Sequence, residues 1–124
     1  MIKFKDKKHQ QAYEEYIKIS KIRNSDVERK SLFYLLAMFP ETRGMIHTLY
    51  DFKNNWINHE GLSQGWQTSG TLACCKLAFN LYNSFDGIED DEAYKYSVIN
   101  IFTYVDNDNK NYFFEAIRIR FEMI

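Results

Sequence analysis

The chain has 124 residues, of which 45% are hydrophobic and 17% aromatic, and its formal net charge is −1. That length suffices for one domain burying about two-thirds of its unfolded surface, so folding requires neither a disulfide nor a metal. No stretch approaches the ~18 apolar residues of a membrane span, and a near-neutral charge argues against a dedicated nucleic-acid binder.

The N-terminal MIKFKDKKHQQ has lysines but no following apolar run, so it does not read as a secretory signal and a cytoplasmic protein is expected. Asp6 is a fair N-cap for a first helix reaching about Ser20, with Ala12, Tyr13, Tyr16, Ile17 and Ile19 as its apolar side. Ser25 and Glu28 have capping-box spacing for a second helix, and the run Leu32 to Phe39 is apolar nearly all round. Pro40 suits a helix start, which predicts a third helix over 40–52 with Met45, Ile46, Leu49, Tyr50 and Phe52 inward.

Residues 53–69 read as an irregular connection, and long connections of this kind are often functional. Thr68 or Ser69 then caps a fourth helix, whose face is Leu72, Cys75, Ala78, Phe79, Tyr82 and Phe85. After the acidic run DGIEDDE, Ser97 caps a short helix over 98–103. Asp108 or Asn109 caps a last one, with Phe113, Ala116, Ile117 and Phe121 inward and Arg118 and Arg120 outward. No repeat or linker divides the chain. The expected fold is all-α, a compact single-domain bundle of five to six helices over residues 1–124 with an irregular 53–69 connection.

Charge is distributed unevenly. Residues 1–30 hold nine Lys/Arg against five Asp/Glu, whereas residues 31–124 hold seven against twelve. Asp86, Glu89, Asp90, Asp91 and Glu92 form the densest acidic run, a candidate patch for docking on a basic groove. Ten Phe, nine Tyr and two Trp exceed what a core of this size hides. Tyr94, Tyr96 and Trp56 are therefore candidate surface anchors.

The search for catalytic chemistry centres on EGLSQGWQTSGTLACCK. Gly61, Gly65 and Gly70 precede a helix, as in phosphate-binding loops, but Gly70 is followed by Thr71 and Leu72 instead of the Lys and Ser/Thr of a P-loop. Gln67 stands where G-x-S-x-G needs its first glycine. The adjacent Cys74 and Cys75 cannot pair without distorting a helix and have no spaced partners for zinc, so two buried free thiols are expected. His47 and Asp51 have helical spacing, with His59 and Glu60 following, but no second pair completes a metal set. DNDNK at Asp106–Lys110 resembles the start of a calcium loop and fails at Asn111 and Ile117, where glycine and glutamate are required. No catalytic residue, cofactor or metal is expected. Gly65, Trp66, Gln67, Thr68, Gly70 and Thr71 read as a structural corner, with glycines allowing tight turns, Trp66 plugging the core, and Gln67 and Thr68 bonding the helix start.

The blocks LFYLLAMFPETR, LYDFKNNWINHEGLSQGWQTSGT, LAFNLYN and YFFEAIRIRF resemble a family of small proteins of unknown function from low-GC Gram-positive bacteria, their phages and other mobile elements. That family carries GWQTGGT-like and LAFNLxN motifs. The resemblance spans about residues 28–121. Here Ser69 replaces a usual glycine, Lys76 a usual arginine, and the terminal Tyr-Pro is missing.

The resemblance implies a compact domain and a mobile-element setting, and supplies no active site. It favours a non-enzymatic, anti-CRISPR-like inhibitor that contacts a host protein such as a CRISPR or other defence nuclease, as a monomer or homodimer. A nucleic-acid-associated regulator using Lys3, Lys5, Lys7, Lys8, Lys18 and Lys21 is the alternative, and direct nucleic-acid binding ranks behind protein binding. A small hydrolase or nucleotide-binding enzyme at the 61–71 loop is the third reading.

Overall fold

The computed structural model describes residues 1–87 and 93–124. Among these, six α-helices follow one another: α1 Lys7–Ser20, α2 Val27–Leu36, α3 Pro40–Gly44, α4 Ser69–Asn83, α5 Val98–Thr103 and α6 Asn107–Arg120. A small antiparallel hairpin, β1 Tyr50–Asp51 and β2 Trp56–Ile57, interrupts the series and pairs Tyr50 with Ile57 and Asp51 with Trp56. The fold is therefore mainly α, not purely all-α. The 53–69 connection holds β2 and a 3-10 turn over His59–Ser63.

The hub is α2. Every residue from Leu32 to Ala37 is fully buried, because α1, α4 and α6 all pack around this helix and leave it no polar face. Phe33 meets Tyr50 edge-on at 5.0 Å between centroids and Tyr16 at 5.9 Å, while Tyr34 packs against Phe4, His9 and Tyr13. From α4, the Cys74 thiol donates to the Leu35 carbonyl at 3.2 Å.

The N-terminal strap, residues 1–5, is pinned to this hub at three points. The Lys3 amide donates to Glu115 Oε2 at 2.8 Å, the Tyr34 hydroxyl donates to the Lys3 carbonyl at 2.5 Å, and the Lys5 amide donates to His9 Nδ1 at 3.0 Å. Because Nδ1 accepts, the fully buried His9 is the Nε2–H tautomer, and it donates to the Tyr34 carbonyl at 2.7 Å. Exposure alternates along the strap: Ile2 and Phe4 pack inward, whereas Met1, Lys3 and Lys5 face out.

Several local expectations shift. The predicted 40–52 helix stops at Gly44, and a 3-10 turn over Ile46–Thr48 leads into β1. The spacing of Ile46, Leu49 and Tyr50 fits helix, but the chain reverses instead. Asp51 accepts from the amides of Lys53 and Asn54, and Asn55 takes a left-handed conformation at φ 58°. Arg29 ties this hairpin to α2 by donating to the Tyr50 hydroxyl, the Asn55 carbonyl and Asp26.

That network also decides the start of α2. Asp26, not Ser25, is the N-cap, and it accepts from the Arg29 amide at 3.0 Å. Likewise Asp106, rather than Asp108 or Asn109, caps α6. Three inward assignments fail: Ile19 is 48% and Phe121 61% exposed, because α1 and α6 each have one face on the bundle and these residues lie off it, and Met45 is 37% exposed, because the third helix ends before it. Ile119 takes the buried position on α6, and Arg120 turns in to donate to the Leu81 carbonyl at 2.7 Å. Asp6, Thr68 and Ser97 cap as expected.

Candidate functional site

The GWQTSGT corner forms around the start of α4. Thr68 Oγ1 accepts the Thr71 amide at 3.1 Å, and Thr71 Oγ1 accepts the Thr68 amide at 2.8 Å. This is a capping box in which Thr replaces the usual Glu or Gln. The Thr71 hydroxyl donates to Gln67 Oε1 at 2.7 Å, and Gln67 Nε2 donates to the Gly61 carbonyl at 3.1 Å. Gln67 therefore supports the helix start through Thr71. Trp66 packs half-buried against the core, and its indole N–H is buried with no acceptor among the described residues.

Thr71→Val keeps the volume and the Thr71 amide bond to Thr68, but removes the hydroxyl that accepts the Thr68 amide and donates to Gln67. It is expected to cost about 1–3 kcal/mol in urea denaturation, whereas Ser69→Ala, on the exposed first turn, stays within about 0.5 kcal/mol.

Gly65 lies in a turn closed by the Gln67 amide donating to the Gln64 carbonyl at 3.2 Å, and Gly61 lies in the 3-10 turn over His59–Ser63, but neither turn needs a left-handed residue. Gly61, Gly65 and Gly70 all have ordinary backbone conformations, and the one described left-handed glycine is Gly87 at φ 94°. Gly61 matters for closeness: a Cβ there would lie 2.3 Å from the Thr48 carbonyl oxygen. Gly65 opens on empty space.

Beside this corner lies a groove of about 460 Å³, walled by Ser69, Leu72, Ala73 and Lys76 of α4, Tyr94 and Lys95, and Asn100 and Tyr104 at α5. Across Leu72, Lys76 and Lys95 it adjoins a second recess of about 320 Å³, lined also by His59, Phe85 and Tyr96. Two of the three predicted anchors come together here. Tyr94 is 61% exposed on the groove wall, and Tyr96 is half-buried, edge-on to Phe85 at 5.7 Å with the Lys76 ammonium 5.6 Å from its ring. Trp56, 57% exposed on β2, lines neither recess. Asp86 is exposed beside Phe85; Glu89, Asp90, Asp91 and Glu92 lie outside the described residues.

Sequence reasoning missed the outer face of α5. Val98 and Ile99 are 71% and 75% exposed, Tyr104 is 58% exposed, and Phe102 stacks on the half-exposed Phe114 at 5.2 Å. The signal was present in VINIFTY, which is apolar on all sides although so short a helix buries only Ile101 fully.

The titratable groups examined for catalysis are occupied structurally. Cys74 and Cys75 are fully buried, and that burial pushes the Cys75 thiol up to about 12 and the Cys74 thiol well above its usual range. Both remain protonated and shielded at neutral pH. Asp51, predicted beside His47 and His59, spends its carboxylate on the hairpin turn, where Asn54 and Lys53 hold its pKa below the usual value. His47 instead sits edge-on to Phe52 at 6.4 Å, and His59 stacks flat on Phe85 at 5.0 Å. Among the described residues no three His, Cys, Asp or Glu side chains converge as metal ligands.

The family model described as a family of unknown function, DUF6075, matches residues 1–123. The chain belongs to this family. No curated protein and no solved structure matches it. In this DUF6075 chain the match extends through the N-terminal strap and α1, ahead of the blocks that carried the sequence resemblance. No helix of the described residues is long and apolar enough to cross a membrane.

Proposed function

We propose that this protein is a non-enzymatic binding module, carried in a phage or mobile-element setting, that inhibits a host defence nuclease by direct contact. The observation supporting this reading is the strip of sequence that carries Tyr94, Val98, Ile99 and Tyr104, all between 58% and 75% exposed, of which Tyr94 and Tyr104 line the α4–α5 groove. Scattered apolar residues need no explanation, but aromatic and aliphatic side chains exposed together on one short segment, two of them on the wall of a recess, have the character of an interface core. Tyr94 and Tyr104 supply large, stiff anchors. The acidic run from Asp86 to Glu92 immediately precedes this strip in sequence, and its charge suits steering onto a Lys/Arg-lined nucleic-acid channel.

The test is protection of a targeted phage. In cells with an active CRISPR nuclease, expression of the wild-type protein is expected to raise plaque counts at least about tenfold, the equivalent of one decade of affinity. The double variant Ile99→Asp/Tyr104→Ala is expected to lose that protection while melting like wild type. Unchanged plaque counts across the nuclease types tested would sink the reading. Replacing Glu89, Asp90, Asp91 and Glu92 with Ser separates the two components: association that is unaffected at low salt would exclude the acidic run and leave the α5 strip.

A further inference from the structure

The N-terminal strap carries a second surface. Lys3, Lys5, Lys7 and Lys8 fall within six residues, are all exposed, and face a single acid, Asp6, whose side chain is committed to capping α1. None of the four ammoniums meets a carboxylate among the described residues. Neutral His9 adds no charge, so residues 1–9 hold four positive charges against one negative, within a chain whose net charge is −1.

Two features distinguish this cluster from an ordinary solvated face. Lys7 and Lys8 occupy the first turn of α1, the positive end of its dipole, and no acidic residue lies in that turn. Cations there are unfavourable, and the Asp6 carboxylate at the N-cap is the one acid beside them, while the Lys5 ammonium lies 4.8 Å over the Phe39 ring. The lysines are also mounted on backbone held by Glu115, Tyr34 and His9, so their spacing is set before any ligand arrives.

Lys3 also lines a recess of about 590 Å³ shared with Asn111, Tyr112, Phe114, Glu115 and Arg118. The buried Glu115 carboxylate is already bonded by the Lys3 amide and Arg118, whose side chain remains 50% exposed. The recess thus offers the Lys3 ammonium, the half-exposed guanidinium of Arg118, which also pairs with Glu115, and the half-exposed ring of Phe114. Cations that follow a backbone, with a ring on which a base can stack, are what single-stranded nucleic acid requires.

We infer that the strap, the first turn of α1 and the Tyr112–Arg118 recess form a binding surface for single-stranded nucleic acid, without base-sequence readout. Phosphates meet Lys3, Lys5, Lys7, Lys8 and Arg118, and a base stacks on Phe114.

The probe is a fluorescein-labelled oligo(dT), read by anisotropy against the full chain. Micromolar binding is expected, and if all five cations engage, raising salt from about 50 to about 200 mM weakens it roughly a hundredfold. Lys3→Gln/Lys5→Gln/Lys7→Gln/Lys8→Gln is expected to lose at least about tenfold at low salt, and Lys18→Gln/Lys21→Gln, at the other end of α1, under about twofold. Phe114→Ala is expected to weaken the single strand about tenfold and leave duplex binding unchanged. The substituted side chains are exposed and the strap is pinned by backbone, so matched thermal melts establish that each variant is folded. Absence of salt-sensitive binding overturns the inference. So does equal affinity for duplex with no effect of Phe114→Ala, or binding confined to anionic phosphatidylserine vesicles.

Discussion

Gly61→Ala is expected to destabilise the protein by about 3 kcal/mol or more, the upper end of what a forced overpacking costs. The added methyl would lie 2.3 Å from the Thr48 carbonyl oxygen and 2.7 Å from Leu49 Cδ2. The nearer atom is backbone, and it cannot easily retreat. The Asn58 amide is bonded to the Leu49 carbonyl at 2.8 Å, and the Gly61 amide to the Asn58 carbonyl at 3.1 Å, so both sides of the clash are anchored. Relief requires the 3-10 turn over His59–Ser63 to lift off the hairpin base, which removes the Gly61 carbonyl from Gln67 and loosens the α4 cap. A fall in melting temperature of about 10 °C follows from that loss for a domain of this size. Gly65→Ala and Gly44→Ala meet nothing within 4 Å and are expected to change stability by under about 1 kcal/mol. If Gly61→Ala melts with these two controls, the close approach is not the reason for that glycine.

The second large effect is a pH dependence centred on His9. Burial lowers its pKa from the ordinary 6.5 to about 4; Arg43 and Lys5 add to the shift, while the Tyr34 carbonyl and Asp6 oppose it. Above pH 6.5 both folded and unfolded chains hold His9 neutral, and its full contribution is present. As the pH falls from 6.5 to about 4, the unfolded chain takes up a proton that the folded chain refuses, so stability declines. The span of the shift corresponds to about 3 kcal/mol. Below about pH 4 both states are protonated and this contribution stops changing. Urea denaturation across that range measures the decline, and His9→Gln isolates it. Glutamine can accept from the Lys5 amide and donate to the Tyr34 carbonyl without titrating. The variant is expected to start less stable at pH 7 and to converge on wild type towards pH 4. Parallel profiles would assign the pH dependence to carboxylates instead.

Much of the helical framework was legible because its signals are local. Asp6, Thr68 and Ser97 bond to amides three residues away, and the Leu32–Met38 run declares a helix buried on all sides. Where two neighbouring residues cap equally well, tertiary contacts choose. Asp26 wins over Ser25 because Arg29 holds it while reaching Tyr50 and Asn55, residues that are distant in sequence. The hairpin was hidden for a similar reason, since Ile46, Leu49 and Tyr50 have helical spacing and the Asp51 turn was read through it.

The surface was less legible than the core. Exposure of Val98, Ile99 and Tyr104 depends on α5 touching the bundle mainly through Ile101, which periodicity cannot reveal in six residues. His9 gave no signal at all. It stands in KDKKHQQ among charged neighbours, yet it is fully buried and holds the strap.

The clasp at Lys3 joins residues 112 apart in sequence, and the one from Tyr34 spans 31. Closing such loops carries an entropic cost, which the Lys3–Glu115 clasp shares with the packing of α6 on α2. Two of the three clasps need only α1 and α2, whereas the one to Glu115 can close only once α6 has packed on α2. Through these clasps one short segment laces together α1, α2 and α6.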